Sequence, residues 1–261
     1  MKINVGIVVP VFNEQSRLDF SYFSKLGELS SVKFIFVDDG STDGTESMIR
    51  EFVNGSSNFS FIRLNENVGK ANAIRAGWIH LNEIFDFSVL GFLDADGAFA
   101  AKDVAHLIAL SSSTFEADYP QTPTLSTPLI NAFWSSRINL SGRTIVRSSR
   151  RYLLGRIFAS LIKVFFKGLP WDTQSGFKLF QNDSNFRSCF RLPFTSRWLF
   201  DIELLLRLRN SRSSQYIVWE EPVSKWHDVP GSKLTFSQYF TITSDLLKLI
   251  GTYRLRKVKN G

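Results

Sequence analysis

Cysteine is nearly missing from this chain. Cys189 stands alone among 261 residues, which excludes an intramolecular disulfide and any cysteine-rich zinc site and suits a reducing compartment. Histidine is almost as scarce. His80, His106 and His227 are scattered along the sequence without metal-ligand spacing, and the first two read as partly exposed structural residues. No stretch reaches the ~18–20 consecutive apolar residues of a membrane span. Met1 to Val5 run straight into a strand-like segment, without the layout of a signal peptide. Low-complexity tracts and internal repeats are missing too. No known nucleic-acid-binding motif or interleaved aromatic array is present, so a nucleic-acid binder has only the net charge of +7 in its favour.

What is present is a core-forming composition with an uneven basic excess. Hydrophobic residues make up 44% of the chain, enough for one large domain or one domain with an appendage. Arg137, Arg143, Arg147, Arg150, Arg151 and Arg156 crowd one region, and Arg254, Arg256, Lys257 and Lys259 crowd the C-terminus. Such patches attract phosphates. The C-terminal one also fits a solvated basic face.

The first half has a regular rhythm. Apolar runs at 3–11, 33–37, 59–64 and 89–93 read as buried strands. Helical patterns separate them near 17–29, at 45–53 and from Gly69 onward, and Ser41 to Gly44 offer capping side chains for the second. This alternation predicts an α/β fold with a mostly parallel central sheet and helices on both faces. Ligands of such sheets sit beyond the carboxyl ends of the strands. The second half is less regular: a Pro/Thr-rich loop over 119–128, helices at 147–166 and 198–209, a strand at 215–218, and an amphipathic helix over 236–253. The expected organisation is a catalytic domain over 1–235, divided into halves at 1–110 and 111–235, with a basic amphipathic helix over 236–261.

Polar motifs fall where strands end. Asp94 and Asp96 lie in Gly91-Phe92-Leu93-Asp94-Ala95-Asp96-Gly97. Two carboxylates pushed into a turn repel each other, and a hard divalent cation that bridges to substrate phosphates relieves the repulsion. Taken alone, the pair is a weak signal that an Asp-Gly turn explains. Asp38 and Asp39 precede Gly-Ser-Thr-Asp-Gly, where a carboxylate accepts either from a ribose or base or only from its own turn. Pro10-Val11-Phe12-Asn13-Glu14 and Asn67-Val68-Gly69-Lys70 occupy the corresponding places after the first and third strands.

In this order and spacing the four motifs resemble those of the inverting family 2 glycosyltransferases with the GT-A fold. The likeness continues through Asp172 to Phe180, Arg197 to Leu204 and Trp226 to Leu234, blocks similar to those of its polyprenyl-phosphate branch, the dolichyl-phosphate β-glucosyltransferases, with the mannosyltransferases as close cousins. The resemblance implies that Pro10, Phe12, Asn13, Glu14 and Asp39 hold the nucleoside. It implies that Lys70 helps hold the nucleotide, that Asp94 lies near the ribose or diphosphate, and that Asp94 and Asp96 bind Mg2+ or Mn2+. Arg137 and Arg151 match phosphate-contacting positions, with Arg147 as a third, in keeping with the bidentate grip of guanidinium on phosphate. Asp172 matches the general base of relatives with hydroxyl acceptors; an ionised phosphate acceptor hardly needs one, which leaves Asp172 to position cationic side chains. Lys233 would close over the diphosphate from a loop. Of Asp201 and Glu203, Asp201 is the one expected to line the site, and Trp226 suits either a sugar or lipid pocket or the core.

Departures from the pattern are few. Ala71 follows Lys70 where several relatives carry glycine, and Ala98 stands where the mannosyltransferases carry a glutamine ligand, which favours the glucosyltransferase-like reading. The membrane anchors of many relatives are lacking; residues 152–166 and the C-terminal helix would instead lie on an anionic membrane. The resemblance therefore implies transfer of a hexose, glucose foremost, from a UDP-sugar to a polyprenyl phosphate, by a cytoplasmic protein peripheral to the membrane that binds no nucleic acid. The alternative keeps fold and donor but places a saccharide or other hydroxyl at the acceptor.

Overall fold

The computed structural model describes residues 4–116, 130–146, 149–211, 216–228 and 236–255. Its first half is a repeated strand–helix alternation: β1 (Val5–Val11), α1 (Phe20–Gly27), β2 (Val32–Asp38), α2 (Thr45–Val53), β3 (Phe59–Arg63), α3 (Lys70–Ile84), β4 (Val89–Leu93) and α4 (Ala101–Glu116). The second half runs β5 (Ile130–Ser136), β6 (Thr144–Val146), α5 (Ser149–Phe165), β7 (Phe177–Gln181), α6 (Ser184–Cys189), α7 (Phe200–Ser211), β8 (Ile217–Pro222), β9 (Lys225–His227) and α8 (Phe236–Ile250), closed by a π-helical turn, Gly251–Leu255. Seven strands form one sheet in the order β3-β2-β1-β4-β7-β5-β8. Only β7 runs antiparallel, to both its neighbours. The mostly parallel sheet is the expected one, and β6 with β9 adds a separate parallel pair.

Both faces of the sheet are covered, which is why its strands read as continuous apolar runs rather than alternating ones. Along β1, Val8 joins a core with Trp78, Phe180 and Phe186, while Val5, Ile7, Val9 and Val11 join another with Phe23, Phe34 and Phe36. Aromatic edges lock the first core: the Trp78 ring meets Phe180 at 5.8 Å and Phe186 at 5.1 Å, and its indole N–H donates to the Gly91 carbonyl at 2.9 Å.

The second half is more ordered than its sequence implies. The apolar runs of β5 and β7 are short and lie between polar loops, so they pass unnoticed until the sheet pairs them. The first helix starts at Phe20, three residues later than the pattern from Arg17 indicates. Asp19 stops it there by accepting from the backbone N–H of Ser21 at 2.9 Å and Tyr22 at 3.3 Å. The helix at α2 is capped at Gly44 without a side-chain bond, although Asp43 accepts from the Thr45 N–H at 3.0 Å. The expected loop over 119–128 lies outside the described residues. The C-terminal helix is part of the body: Leu246 and Leu249 are buried in the Trp78 core, with Ile242, Ile250 and Tyr253 against it.

Candidate functional site

Because β1, β2, β3 and β4 are parallel, their carboxyl ends open on the same edge of the sheet. Three loops are laced together there. Asn13, just past β1 with the positive φ of 52°, donates its N–H to Ser41 Oγ at 2.9 Å and accepts from the Thr42 N–H at 2.8 Å. Asparagine tolerates this backbone better than most residues. The Glu14 N–H donates to Thr45 Oγ1 at 2.8 Å. Asp38 is spent on its own turn, accepting from Ser41 at its N–H and hydroxyl and pairing with Arg63 at 3.4 Å. Asp39 reaches across instead: its two oxygens accept from the N–H groups of Val68 at 2.8 Å and Gly69 at 2.9 Å. Burial pushes the Asp39 carboxyl above its usual range, against the pull of those two bonds. Pro10 lies in β1 opposite Val37, and Phe12 immediately beyond the strand.

The fourth strand adds the acidic pair. Lys70, the first residue of α3, places its ammonium 2.5 Å from Asp94 Oδ1, while the Asp94 N–H donates to the Gly176 carbonyl at 2.8 Å. A Cβ on Gly176 would collide with the Asp94 carboxylate, so glycine is needed there by close approach. Asp96 accepts from the Ala98 N–H at 3.1 Å, and Arg17, paired with Glu14 at 3.2 Å, stands 3.9 Å from its other oxygen. Burial, then the neighbouring Asp94 charge, pushes the Asp96 carboxyl up. Burial works against charge on Lys70, yet Asp94, Asp201 and Asp96 outweigh it and hold its pKa above the usual value.

These residues fit a divalent cation. A buried carboxylate raised by desolvation and by a second carboxylate gains most from a cation, and hard oxygen donors are what Mg2+ and Mn2+ take. No group of three or more His, Cys, Asp or Glu side chains with metal-binding geometry occurs among the described residues. The protein would thus supply Asp94 and Asp96, leaving the remaining positions to phosphate and water oxygens, as is usual for a metal shared with a nucleotide. The buried Tyr22 hydroxyl, which feels the Asp96 charge, has no hydrogen-bond partner among the described residues.

Opposite this cradle lies an arginine held rigidly. Arg137 follows β5 and grips Asp172 fork to fork, Nε to Oδ2 at 2.8 Å and Nη2 to Oδ1 at 2.7 Å, with a third bond from its own N–H to Oδ2 at 2.8 Å. Glu220 of β8 in turn accepts from the N–H groups of Trp171 at 2.7 Å and Asp172 at 2.8 Å. The guanidinium lies 5.3 Å over the Trp226 ring, and Trp226 is itself buried. The pKa of Arg137 is raised: burial opposes its charge, but Asp172 first, then Asp94 and Asp228, overcome it. Between cradle and arginine sits Lys178 of β7, fully buried, bonded to Asp201 at 2.5 Å and to the Thr173 carbonyl at 2.9 Å.

The structure therefore brings together Asn13, Glu14, Asp39, Lys70, Asp94, Asp96, Arg137 and Asp172. Arg151 belongs to α5 with a side chain outside the described part, and Arg147 and Lys233 lie outside the described residues. Asp201, expected to line the site, is buried against Lys178 and feels the Lys70 charge. Glu203 is buried as well, holding Arg207 at 2.6 Å and the N–H groups of Thr195 and Ser196, each at 3.0 Å. Lys178, Glu220 and Arg17 escaped sequence reasoning. Only Lys178 left a signal, a lysine inside the apolar run Phe177-Lys178-Leu179-Phe180.

Comparison with known proteins bears on family and fold. A family model described as "Glycosyl transferase family 2" matches residues 6–166. Dolichyl-phosphate beta-glucosyltransferase of Saccharomyces cerevisiae is 30% identical, over 98% of this chain and 78% of its own length. The Drosophila melanogaster protein of that name is 29% identical, over 98% and 79%. Among solved structures, glucosyl-3-phosphoglycerate synthase from Mycobacterium tuberculosis, in complex with Mn2+, UDP-glucose and phosphoglyceric acid, superposes with a TM-score of 0.63 at 18% identity, over 95% of this chain and 80% of its own. A mannosyltransferase from Pyrobaculum calidifontis in complex with GDP-mannose and Mn2+ gives 0.60 at 14%, over 100% and 66%. The two solved structures share the GT-A fold.

Proposed function

The chain belongs to glycosyl transferase family 2, and from that premise we propose that it moves glucose from UDP-glucose to a dolichyl-type polyprenyl phosphate, with inversion at the anomeric carbon and with Mg2+ or Mn2+ at the donor diphosphate. The observation that carries the reading is the clamped Arg137, fixed by both oxygens of Asp172 beside the Asp94–Asp96 cradle. The near full-length likeness to dolichyl-phosphate β-glucosyltransferases supports the sugar and the acceptor.

Each residue then has a task. Pro10, Phe12, Asn13 and Glu14 form one wall of the nucleoside site. Asp39 keeps lone pairs for a base or ribose donor while its bonds to Val68 and Gly69 hold it in place. Asp94 and Asp96 would hold the cation, which when bound would neutralise charge on the departing nucleoside diphosphate. Lys70, released from Asp94, reaches the same diphosphate, and Lys233 covers it. Arg137, with Arg151, binds the acceptor phosphate and aims one of its oxygens at the anomeric carbon on the face opposite the diphosphate. The new carbon–oxygen bond forms as the bond to the diphosphate breaks, and UDP carries away the electron pair. The acceptor phosphate is already ionised at neutral pH, so no proton has to be removed. This matches an Asp172 whose oxygens are engaged by Arg137 rather than free to act as a base. Residues 1–110 serve the donor and 111–235 the acceptor, and the protein works from the cytoplasmic face of a membrane as a peripheral enzyme.

A panel of radiolabelled nucleotide sugars, incubated with dolichyl and undecaprenyl phosphate, tests the proposal. Label from UDP-glucose is expected in the organic phase, dependent on Mg2+ or Mn2+, and absent with Asp96→Ala. Label found only in water-soluble product would overturn the lipid acceptor. With a hydroxyl acceptor, Asp172→Asn would abolish transfer. With a phosphate acceptor it is expected to cost about ten- to a hundredfold, the value of one well-placed charge-assisted contact.

A further inference from the structure

Helix α5 is apolar on two opposite sides. Ala159 and Ile162, with Phe166 just past the helix end, turn inward and are buried. Ile157, Leu161 and Val164, spaced by four and three residues, turn outward and are 57%, 44% and 68% exposed. A helix on a globular surface ordinarily turns charge to that side. Next to this stripe the Trp171 ring is 47% exposed, with the Arg156 guanidinium 4.9 Å from its centroid and the Lys163 ammonium also over it. The segment from Ser149 to Trp171 contains Arg150, Arg151, Arg156, Lys163 and Lys167 and no acidic residue. An outward aliphatic stripe, an indole at its edge and basic residues without acids are what an anionic lipid surface recognises: aliphatic groups enter the acyl boundary, the indole sits at headgroup level and the cations meet phosphate. This face adjoins the acceptor side of the site, because Trp171 precedes Asp172 and both hang from Glu220.

We infer that the outer face of α5, with Trp171, is the surface on which this protein lies in the interface of an anionic bilayer. The inference rests on the lipid-acceptor reading for its purpose but not for its test. A phosphate headgroup then reaches Arg137 while its chain stays in the membrane, so the protein need not extract the lipid.

Flotation of the full chain with vesicles of phosphatidylcholine, with and without phosphatidylglycerol, decides the matter. Binding is expected to the anionic vesicles, to weaken with salt, and to fall about tenfold for Val164→Glu and again for Leu161→Glu, each of which removes an apolar group from the interface. Trp171→Phe is expected to remove the blue-shifted fluorescence component that appears with vesicles. Far-ultraviolet circular dichroism and melting of each variant establish that it is folded, and Ile157→Gln is a milder substitution on the same stripe. Transfer to a short-chain, water-soluble prenyl phosphate is expected to be unchanged in Val164→Glu. Undiminished vesicle binding by folded Val164→Glu and Ile157→Gln would overturn the inference. So would a dimer that these substitutions split without altering vesicle binding, since the stripe would then meet a second copy. Should wild type bind vesicles through this face yet glucosylate no polyprenyl phosphate, the proposed function fails and the membrane face stands.

Discussion

Lys178 carries a full side chain into the interior, where its ammonium meets the Asp201 carboxylate, the Thr173 carbonyl and two aromatic rings. It is fully buried, with the Trp134 ring 4.4 Å and the Phe92 ring 5.2 Å from its ammonium. Burial lowers its pKa, and burial raises that of Asp201, so each needs the other to stay ionised. Removing one partner strands a charge. Lys178→Met is expected to destabilise the protein by about 3–5 kcal/mol in urea unfolding, and adding Asp201→Leu to recover most of that loss. The opposite holds at Asp96, whose carboxylate is disfavoured by burial and by Asp94. Asp96→Asn is expected to abolish metal-dependent transfer without lowering the melting temperature. Arg137 differs from both because its geometry matters more than its charge. Arg137→Lys keeps the cation but forfeits the fork on Asp172, and its KM for the phosphate acceptor is expected to rise about tenfold or more while that for the sugar nucleotide stays put. Of these three residues, Asp96 was legible from its motif and Arg137 from spacing and resemblance. Lys178 was visible only as an oddity, because burial is a property of the fold around a residue.

Among elements, β4 and β7 are the pair on which the site hangs. Gly91 of β4 lies opposite Leu179 of β7, and a Cβ there would strike the Lys178 carbonyl and the Leu179 side chain. Gly91→Ala is expected to cost about 1–3 kcal/mol by overpacking and to displace Asp94 enough to reduce transfer. α8 is tied to the loop before α7 by a buried carboxylate: Asp245 accepts from Ser196 Oγ at 2.8 Å and the Arg197 N–H at 3.2 Å. Leu249→Ala, beneath it in the core, is expected to cost about 2–5 kcal/mol in denaturant unfolding. The strands of the first half were legible because each is a continuous apolar run between turn residues. β5 and β7 were not, since pairing against β4 and β8 selects those short runs from a sequence with other options.

At the scale of the whole molecule, donor and cation are expected to stabilise the fold jointly. UDP and Mn2+, each at about a hundred times its dissociation constant, are expected to add roughly 2.7 kcal/mol apiece, about 5 kcal/mol together. For a chain of this size that amounts to a rise of several degrees in melting temperature, larger than with either ligand alone, which scanning calorimetry measures directly.

The amino-acid order by itself determined the alternation of strands and helices and the acidic motifs at strand ends, because hydrophobic period and turn chemistry are local. It determined as well that those motifs share one edge, since parallel strands joined by helices all point the same way. Tertiary structure alone decided that Asp172 clamps Arg137, that Lys178 is spent on Asp201, that α8 is bolted to the core and that α5 turns an aliphatic stripe outward. Each of these depends on which distant segments meet across the sheet, and contacts between remote positions leave no period in the chain to read.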